Sequence, residues 1–251
     1  ASIPRSFGRD GETAPHLPSG SEDGVYPYTA AMADMDVAAT IQLLSAAVIP
    51  VLFAITLHEV SHGWAARRFG DRTAELLGRL TLNPVRHIDP VGSVAVPLVL
   101  AFLNLPPFGW AKPVPVNPRN LRKPKQHMVL VAAAGPASNF AMALFWAIGF
   151  AVVLQVPMAG LGVRQFLLSM TQIGIYFNVL LAIFNLMPIP PLDGGRVLRG
   201  LVPEALGRKL DAVEPYGLII VMGLLALGVL GQVVAPLVEL VSALFLSIAR
   251  V

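Results

Sequence analysis

The chain has 251 residues, of which 55% are hydrophobic and 13% are charged. Soluble domains carry about 25% charged residues, so this composition excludes an ordinary soluble domain and favours a membrane protein with several spans. The absence of cysteine excludes disulfides and thiolate metal sites, and the net charge of +3 fits basic loops on a cytoplasmic face rather than a nucleic-acid partner.

The first 36 residues are polar, rich in Gly, Pro and Ser, and without a helical period. They lack the basic and then apolar layout of a signal peptide, so they predict a disordered tail. The sequence therefore divides into a disordered tail, residues 1–36, and an integral-membrane domain, residues 37–251.

The apolar segments of the membrane domain predict about five transmembrane helices. The first, residues 37–69, would be about 50 Å long, which exceeds a bilayer core of about 30 Å, so its arginine-rich end should project. The other predicted spans cover residues 127–156, 164–188, 213–231 and 233–249.

A mixed region separates the first two spans. Leu76–Leu82 has a β-like composition, Val91–Leu105 is apolar but short and contains Pro97, and residues 106–116 are Pro-rich and should be extended. Basic residues flank Val91–Leu105 on both sides, which predicts a re-entrant element. The predicted fold is an all-α polytopic membrane protein with a re-entrant or β-like segment between its first two spans.

The basic residues also predict the orientation. If the first helix ends inside and the spans alternate, 15 of the 18 Lys and Arg residues lie inside, and only Arg5, Arg9 and Arg164 lie outside. This asymmetry satisfies the positive-inside rule. It predicts a multi-pass protein of the cell membrane.

The motif His58-Glu59-Val60-Ser61-His62 lies near the end of the first apolar segment. Its two histidines, at i and i+4, share one helical face and can reach one metal ion, while Glu59 can act on a metal-activated water. Ionisable residues at membrane depth are costly and usually functional. With the first helix ending inside, this motif lies near the cytoplasmic face.

Catalytic zinc usually has three protein ligands, so the two histidines need a third. Asp193 and Glu75 are the main carboxylate candidates. Asp193 follows the third predicted span at its inner end, level with His58, and its Pro and Gly neighbours permit a sharp backbone turn. We favour Asp193 over Glu75, although Asp193 could instead cap the helix that follows it.

Several other polar residues have two interpretations. Asn139 and Asn185 lie within apolar spans and either face a cleft or hydrogen-bond between helices. His87 and Asp89, beside the re-entrant segment, and His127, at a helix start, are interpreted as capping or interfacial residues rather than metal ligands.

Three segments resemble the signature segments of site-2 proteases, which are intramembrane zinc metalloproteases. They are His58–His62, Gly135–Asn139 and Asn185–Arg196, in that order. The resemblance covers about residues 37–231. It implies that His58, His62 and Asp193 bind Zn²⁺ and that Glu59 is the catalytic base. We expect a minimal metalloprotease domain, residues 37–251, without the PDZ or CBS module of many relatives.

The expected function is hydrolysis of a peptide bond within or near a transmembrane segment of a membrane-protein substrate. The expected partners are that substrate, the lipid bilayer and a regulatory membrane protein, and no nucleic acid is expected. The Pro-rich segment, residues 109–116, could hold the substrate extended by strand addition.

Two other functions are compatible with the motif. A membrane metal carrier could use the His pair as a transit site, and a structural subunit could retain the motif as a vestige. A carrier would need neither Glu59 as a base nor a third ligand from a distant motif.

Overall fold

The computed structural model describes residues 37–102, 109–157 and 160–248. The predicted disordered tail, residues 1–36, lies outside the described residues. The chain divides into two units, residues 1–40 and 41–251. The described part of the first unit is the start of a helix, and the second unit contains the rest of the fold.

Helices dominate the described ranges, which contain no β-strand, so the predicted all-α class is confirmed. The α-helices are α1 (Val37–Arg68), α2 (Thr73–Leu76), α3 (Val96–Phe102), α4 (Pro124–Gln155), α5 (Leu161–Asn185), α6 (Asp193–Leu201), α7 (Glu204–Val213), α8 (Gly217–Ala226) and α9 (Val229–Ile248). Short 3₁₀ helices cover Pro84–His87, Pro118–Asn120 and Glu214–Tyr216, and a π-helix covers Pro90–Ala95.

Among the described residues, four helices rather than five are long and apolar enough to cross a membrane, namely α1, α4, α5 and α9. The predicted span 213–231 is divided, because Gly228 has a φ of +73° and separates α8 from α9. A left-handed residue of this kind ends a helix and costs glycine nothing. With only ten residues, α8 is too short to cross a bilayer alone.

The main hydrophobic core lies where α4, α5 and α9 pack against one another. Trp146 of α4 is buried in this core, and a Cβ on Gly174 of α5 would overlap its indole ring. Large apolar side chains such as Phe53, Phe145 and Leu240 remain exposed on the outer faces of the long helices. Such faces suit a lipid environment, because apolar side chains are compatible with the hydrocarbon chains of lipids.

The region between α1 and α4 differs from its prediction in detail. Leu76–Leu82 is not a strand, since it begins at the last residue of α2 and continues without regular structure. The apolar segment forms the π-helix and, directly after it, α3. Pro97 has no N–H to donate, and the Gly92 carbonyl five residues before it accepts from the N–H of Trp110 instead. Its end, residues 103–105, lies outside the described residues. The described part of the Pro-rich segment, residues 109–116, has no regular secondary structure.

Candidate metal centre

Three side-chain atoms from two helices meet in a small triangle. His58 Nε2 lies 3.2 Å from His62 Nε2, and Asp193 Oδ2 lies 3.2 Å from the first and 3.3 Å from the second. Nitrogen and oxygen ligands at about 2.0 to 2.2 Å from a tetrahedral zinc ion are separated by about 3.3 to 3.6 Å. The spacing of the three atoms therefore fits one bound zinc ion.

Local features of α1 and α6 bring the two histidines and Asp193 together. His58 and His62 are one turn apart on α1, so their rings meet in a T-shaped arrangement with centroids 4.8 Å apart. Asp193 is the first residue of α6, which packs tightly against the chain before it. A Cβ on Gly194 would collide with the carbonyl of Leu186, so glycine is required for Asp193 to reach the histidines.

The far side of each imidazole is held by an oxygen atom. His58 Nδ1 lies 2.6 Å from Asn139 Oδ1, and His62 Nδ1 lies 2.7 Å from the carbonyl oxygen of Val131. Both oxygens accept, so each Nδ1 carries the proton and each Nε2 presents a lone pair. This is the tautomer that metal-binding histidines adopt.

The triangle consequently lacks protons. Two nitrogen lone pairs and a carboxylate oxygen face one another, and the buried Asp193 Oδ2 receives no hydrogen bond from any described residue. Buried polar atoms are costly without a partner, so this arrangement calls for a cation. Among the described residues, these three form the one group of potential ligands close enough to hold a metal ion.

Comparisons with known proteins decide the family. The model of "Peptidase family M50" matches residues 153–229, which include Asp193 but not the histidine pair. Over 188 residues the chain is 40% identical to "Putative zinc metalloprotease YwhC" of Bacillus subtilis (strain 168), a match that covers 72% of this chain and 80% of YwhC. The chain belongs to peptidase family M50.

More distant relatives agree. The chain is 31% identical over 183 residues to the similarly named Rip2 of Mycolicibacterium smegmatis, covering 69% of this chain and 64% of Rip2. It is 23% identical over 159 residues to "Zinc metalloprotease MJ0392" of Methanocaldococcus jannaschii, covering 63% of this chain and 35% of that protein. No solved structure matches the chain significantly. The resemblance to site-2 proteases is thus confirmed: the protein is a zinc metalloendopeptidase, and Zn²⁺ is its metal.

Glu59 of this peptidase stands beside the triangle rather than in it. Its Oε2 accepts a hydrogen bond of 2.9 Å from the backbone N–H of Val114, and the side chain is half-buried. No described residue donates to Oε1 of Glu59. The carboxylate is therefore fixed at one oxygen by the Pro-rich segment and has its other oxygen available.

The α4 helix of the peptidase approaches the histidines unusually closely. A Cβ on Gly135 would overlap His62 Nε2 and would lie 2.6 Å from His62 Cε1 and 2.7 Å from His58 Cε1. Gly135 begins the second signature segment. A glycine is needed here because a side chain would collide with the histidine rings. Any larger residue would push α4 away from the rings.

Asn139 hydrogen-bonds between helices, which is one of the two roles that the sequence left open for it. It is fully buried between helices, where its Nδ2 donates to the carbonyl of Ala54 at 3.2 Å and to Asn178 Oδ1 at 3.0 Å. Asn178 was not singled out from the sequence, although it is a further polar residue within an apolar span. Asn185 donates to the carbonyl of Leu181 in its own helix and is half-buried.

The remaining polar candidates lie apart from the triangle. Glu75 forms ion pairs with Arg72 at 2.7 Å and Arg67 at 3.2 Å, and it is not among the grouped ligands. Asp89 accepts hydrogen bonds from the N–H groups of Val91 and Gly92 and so caps the π-helix. His87 is buried with its Nε2 on the Thr81 carbonyl, and His127 stacks on Phe69.

Asp71, an acidic residue outside the spans, helps to position the Pro-rich segment that contacts Glu59. Asp71, just after α1, accepts hydrogen bonds from the backbone and hydroxyl of Thr73, the side chain of Asn120 and the backbone of Asn117. Burial alone would raise the pKa of Asp71, but these donors outweigh it and lower the pKa. The ionised carboxylate thereby ties residues 117–120, and the Pro-rich segment before them, to the end of α1.

Proposed function

We propose that this peptidase hydrolyses a peptide bond within or near a transmembrane segment of a membrane-protein substrate. The observation that carries the proposal is the location of the histidine pair. Both histidines belong to a helix that is long and apolar enough to cross a bilayer, and α4, which holds their far sides, is another such helix. A peptidase centre built on these helices favours substrates that share the membrane.

The proposed ligands of zinc are His58, His62 and Asp193. A bound zinc ion supplies Lewis-acid chemistry, which polarises the scissile carbonyl and makes a water molecule more acidic. Asn139 and the Val131 carbonyl keep both imidazoles in the tautomer that offers Nε2. Gly135 leaves the space that this arrangement needs.

Glu59 is the proposed general base. Its Oε2 is anchored by the Val114 N–H, which leaves Oε1 to take the proton from the attacking water. The same carboxyl group then donates that proton to the leaving amine. A glutamine at this position would keep the size and the acceptor oxygen but could not carry the proton.

The Pro-rich segment is the proposed guide for the substrate. A transmembrane helix hides its amide bonds, so the substrate must become extended before hydrolysis. Residues 110 and 112 donate backbone hydrogen bonds to Gly92 and His87, whereas no described residue accepts from the N–H of Val116. Strand addition to this end of the segment would place an extended chain next to Glu59.

The proposed location is the cell membrane, with the centre near the cytoplasmic face. Ten Lys and Arg but only three Asp and Glu lie in the stretch from Arg67 to Lys125, both included, which joins the ends of α1 and α4. The positive-inside rule places such a stretch in the cytoplasm. Since His58 and His62 lie in the last three turns of α1, the path for water to the centre is short.

The decisive experiment compares the wild-type protein with Glu59→Gln, each loaded with zinc. Quantitative proteomics of membrane-protein fragments from cells expressing either form should show fragments that depend on Glu59, with cuts within or beside predicted spans. Equal zinc content in the two proteins, measured by elemental analysis, is the control. Identical fragment patterns would refute the proposed function, and Glu59-dependent cuts confined to soluble domains would refute its intramembrane substrate.

A membrane metal carrier is the alternative that the His pair permits. Zinc uptake into vesicles containing the Glu59→Gln protein separates the two functions, because a carrier should tolerate this change and a peptidase should not. The position of Glu59, anchored beside the ligands and not among them, favours the peptidase.

A further inference from the structure

A pocket of about 550 Å³ lies at the end of α1, and it belongs to neither the metal centre nor the Pro-rich segment. It is lined by Trp64, Arg67, Arg68 and Arg122. Three of these residues come from the last two turns of α1, and Arg122 comes from the chain just before α4. The pocket thus combines one aromatic ring with three guanidinium groups.

Its positive charge is only partly balanced. Arg67 pairs with Glu75 at 3.2 Å, but Glu75 is shared with Arg72. No described acidic side chain forms an ion pair with Arg68 or Arg122. Guanidinium groups bind phosphate and carboxylate oxygens through two parallel hydrogen bonds, so a pocket with two unbalanced arginines is suited to an anion.

Arg122 is held in position for this role. Its backbone N–H donates to the carbonyl of Phe69 at 3.1 Å, and its Nη2 donates to the carbonyl of Arg68 at 3.2 Å. These bonds fix the guanidinium against the end of α1. Its other N–H groups have no acceptor among the described residues. A fixed arginine loses less conformational entropy on binding than a free one.

The place of Trp64 indicates the source of the anion. Trp64 precedes Arg68 by one helical turn and is 50% exposed, and the apolar span ends at Arg68. Tryptophan at the interface with a cation just beyond it is the arrangement found at the level of lipid headgroups. We propose that this pocket binds the phosphate-bearing headgroup of an anionic membrane lipid, with Trp64 against the start of its acyl chains.

The test uses the full-length, zinc-loaded protein in detergent and measures retention of added phosphatidylglycerol by native mass spectrometry. The test variant is Arg68→Gln/Arg122→Gln, and the matched control is Arg208→Gln/Lys209→Gln, which removes the same charge from exposed positions on α7. Each arginine near a lipid phosphate contributes roughly fivefold in affinity, so the test variant should lose about 25-fold and the control less than threefold. Full zinc content in both variants shows that they are folded.

A second measurement locates the lipid without changing an arginine. Phosphatidylglycerol with brominated acyl chains should quench the fluorescence of the wild-type protein more than that of Trp64→Phe, because bromine quenches the nearest indole. Equal quenching of the two proteins would overturn the proposal.

Three binding results would also overturn it. These are equal losses in the test and control variants, equal retention of phosphatidylcholine and phosphatidylglycerol, and displacement of phosphatidylglycerol by millimolar inorganic phosphate or an acidic peptide. Displacement would mean that the pocket takes a soluble anion. None of these results depends on peptidase activity, so the lipid site and the proposed function can fail separately.

Discussion

Asn178 Oδ1 accepts a hydrogen bond of 3.0 Å from Asn139 Nδ2 and, together with the carbonyl of Ala54, determines which end of Asn139 faces His58. Asn178 donates from Nδ2 to the carbonyl of Gly174 at 2.8 Å, so its Oδ1 is the atom left to accept from Asn139. Asn139 must then turn its own Oδ1 toward His58 Nδ1. A backbone carbonyl on α5 thus contributes, through two buried amides, to the choice of tautomer of a proposed metal ligand on α1.

Replacing Asn178 with Leu should therefore weaken zinc binding. The change keeps the branching at Cγ but removes one of the two acceptors of Asn139 Nδ2, and only the Ala54 carbonyl then keeps that nitrogen away from His58. Asn139 can then turn its amide nitrogen to His58 more easily and favour the tautomer that cannot bind metal. Loss of such an outer hydrogen-bond partner typically costs 10- to 100-fold in metal affinity, and we expect a loss of about that size. Competition with a chelator of known affinity measures it.

Thr171→Val is the matched control for this change. Thr171 is also buried in α5, but its hydroxyl bonds only to carbonyls of its own helix. The control should keep wild-type zinc affinity. Equal affinities of all three proteins would show that Asn178 joins helices without positioning His58.

Gly135→Ala should disrupt the metal centre while leaving the membrane fold intact. The new methyl group would overlap His62 Nε2 and crowd His58 Cε1, so α4 or the rings must move. We expect less than a tenth of the wild-type zinc content after dialysis against a weak chelator, because a small shift destroys the three-atom spacing. Elemental analysis gives the readout.

Gly149→Ala offers a comparison on the same helix. Its added Cβ would meet only Thr171 Cγ2, at 3.4 Å. Since alanine is favoured over glycine within a helix by about 1 kcal/mol, this variant should be as stable as the wild-type protein or slightly more so. Full zinc binding by Gly135→Ala would contradict the close approach of α4 to the histidines.

The third ligand can be tested directly. Asp193→Ala should abolish zinc retention, as should the double change His58→Ala/His62→Ala, whereas Glu75→Ala should retain about one zinc per chain. Glu75 instead pairs with Arg67 and Arg72, outside the centre. Stoichiometric zinc in Asp193→Ala together with loss in Glu75→Ala would transfer the third ligand to Glu75.

The sequence predicted the parts of this centre that depend on local patterns. The spacing of His58 and His62 fixes their common face, and the position of Asp193 after a span of known length placed it level with them. Asn178 could not be singled out in this way, because its importance depends on a partner 39 residues away. The contact of Glu59 with Val114 was equally hidden, since it joins an irregular segment to a helix across 55 residues.

The count of spans shows a second limit of the sequence. Residues 213–231 form an apolar run long enough to cross a bilayer, which is why a fifth span was predicted. The run contains Gly228, and only the structure shows that its φ of +73° ends α8 there. Hydrophobicity reports burial in lipid or protein, but it does not report a change in backbone direction.

Asp71→Asn should lower stability in a pH-dependent manner. The native carboxylate accepts four hydrogen bonds. The amide nitrogen of Asn would face one of these donors, which should lower the free energy of unfolding by about 2 kcal/mol. Because folding lowers the pKa of Asp71, its contribution is complete above the ordinary carboxyl pKa and is lost as the pH falls through the folded value. The difference in thermal midpoint between wild type and variant should thus be constant from neutral pH to about pH 5 and shrink below about pH 4.

Asp211→Asn is the comparison for that experiment. Asp211 pairs with Arg199 on an exposed surface, where such pairs contribute about 1 kcal/mol or less. A loss of stability in Asp71→Asn no larger than in Asp211→Asn would show that the hydrogen bonds to Asp71 are dispensable.

The role of the Pro-rich segment is best tested at Val116 rather than at Val114. Val114 donates its N–H to Glu59, so Val114→Pro would disturb the base and the segment together and should lower kcat. The N–H of Val116 has no acceptor among the described residues, so Val116→Pro removes this donor, along with part of the side chain and some backbone freedom, and breaks no hydrogen bond of the Val116 N–H. If an extended substrate pairs with the segment, Val116→Pro should raise KM several-fold at unchanged zinc content.

Val116→Ala is the control for the lost side chain. It keeps the N–H but loses the packing of the valine against Ala66 and Leu121. Cleavage of a helical membrane substrate with the same KM by Val116→Pro and Val116→Ala would refute strand addition and leave substrate presentation to the helices.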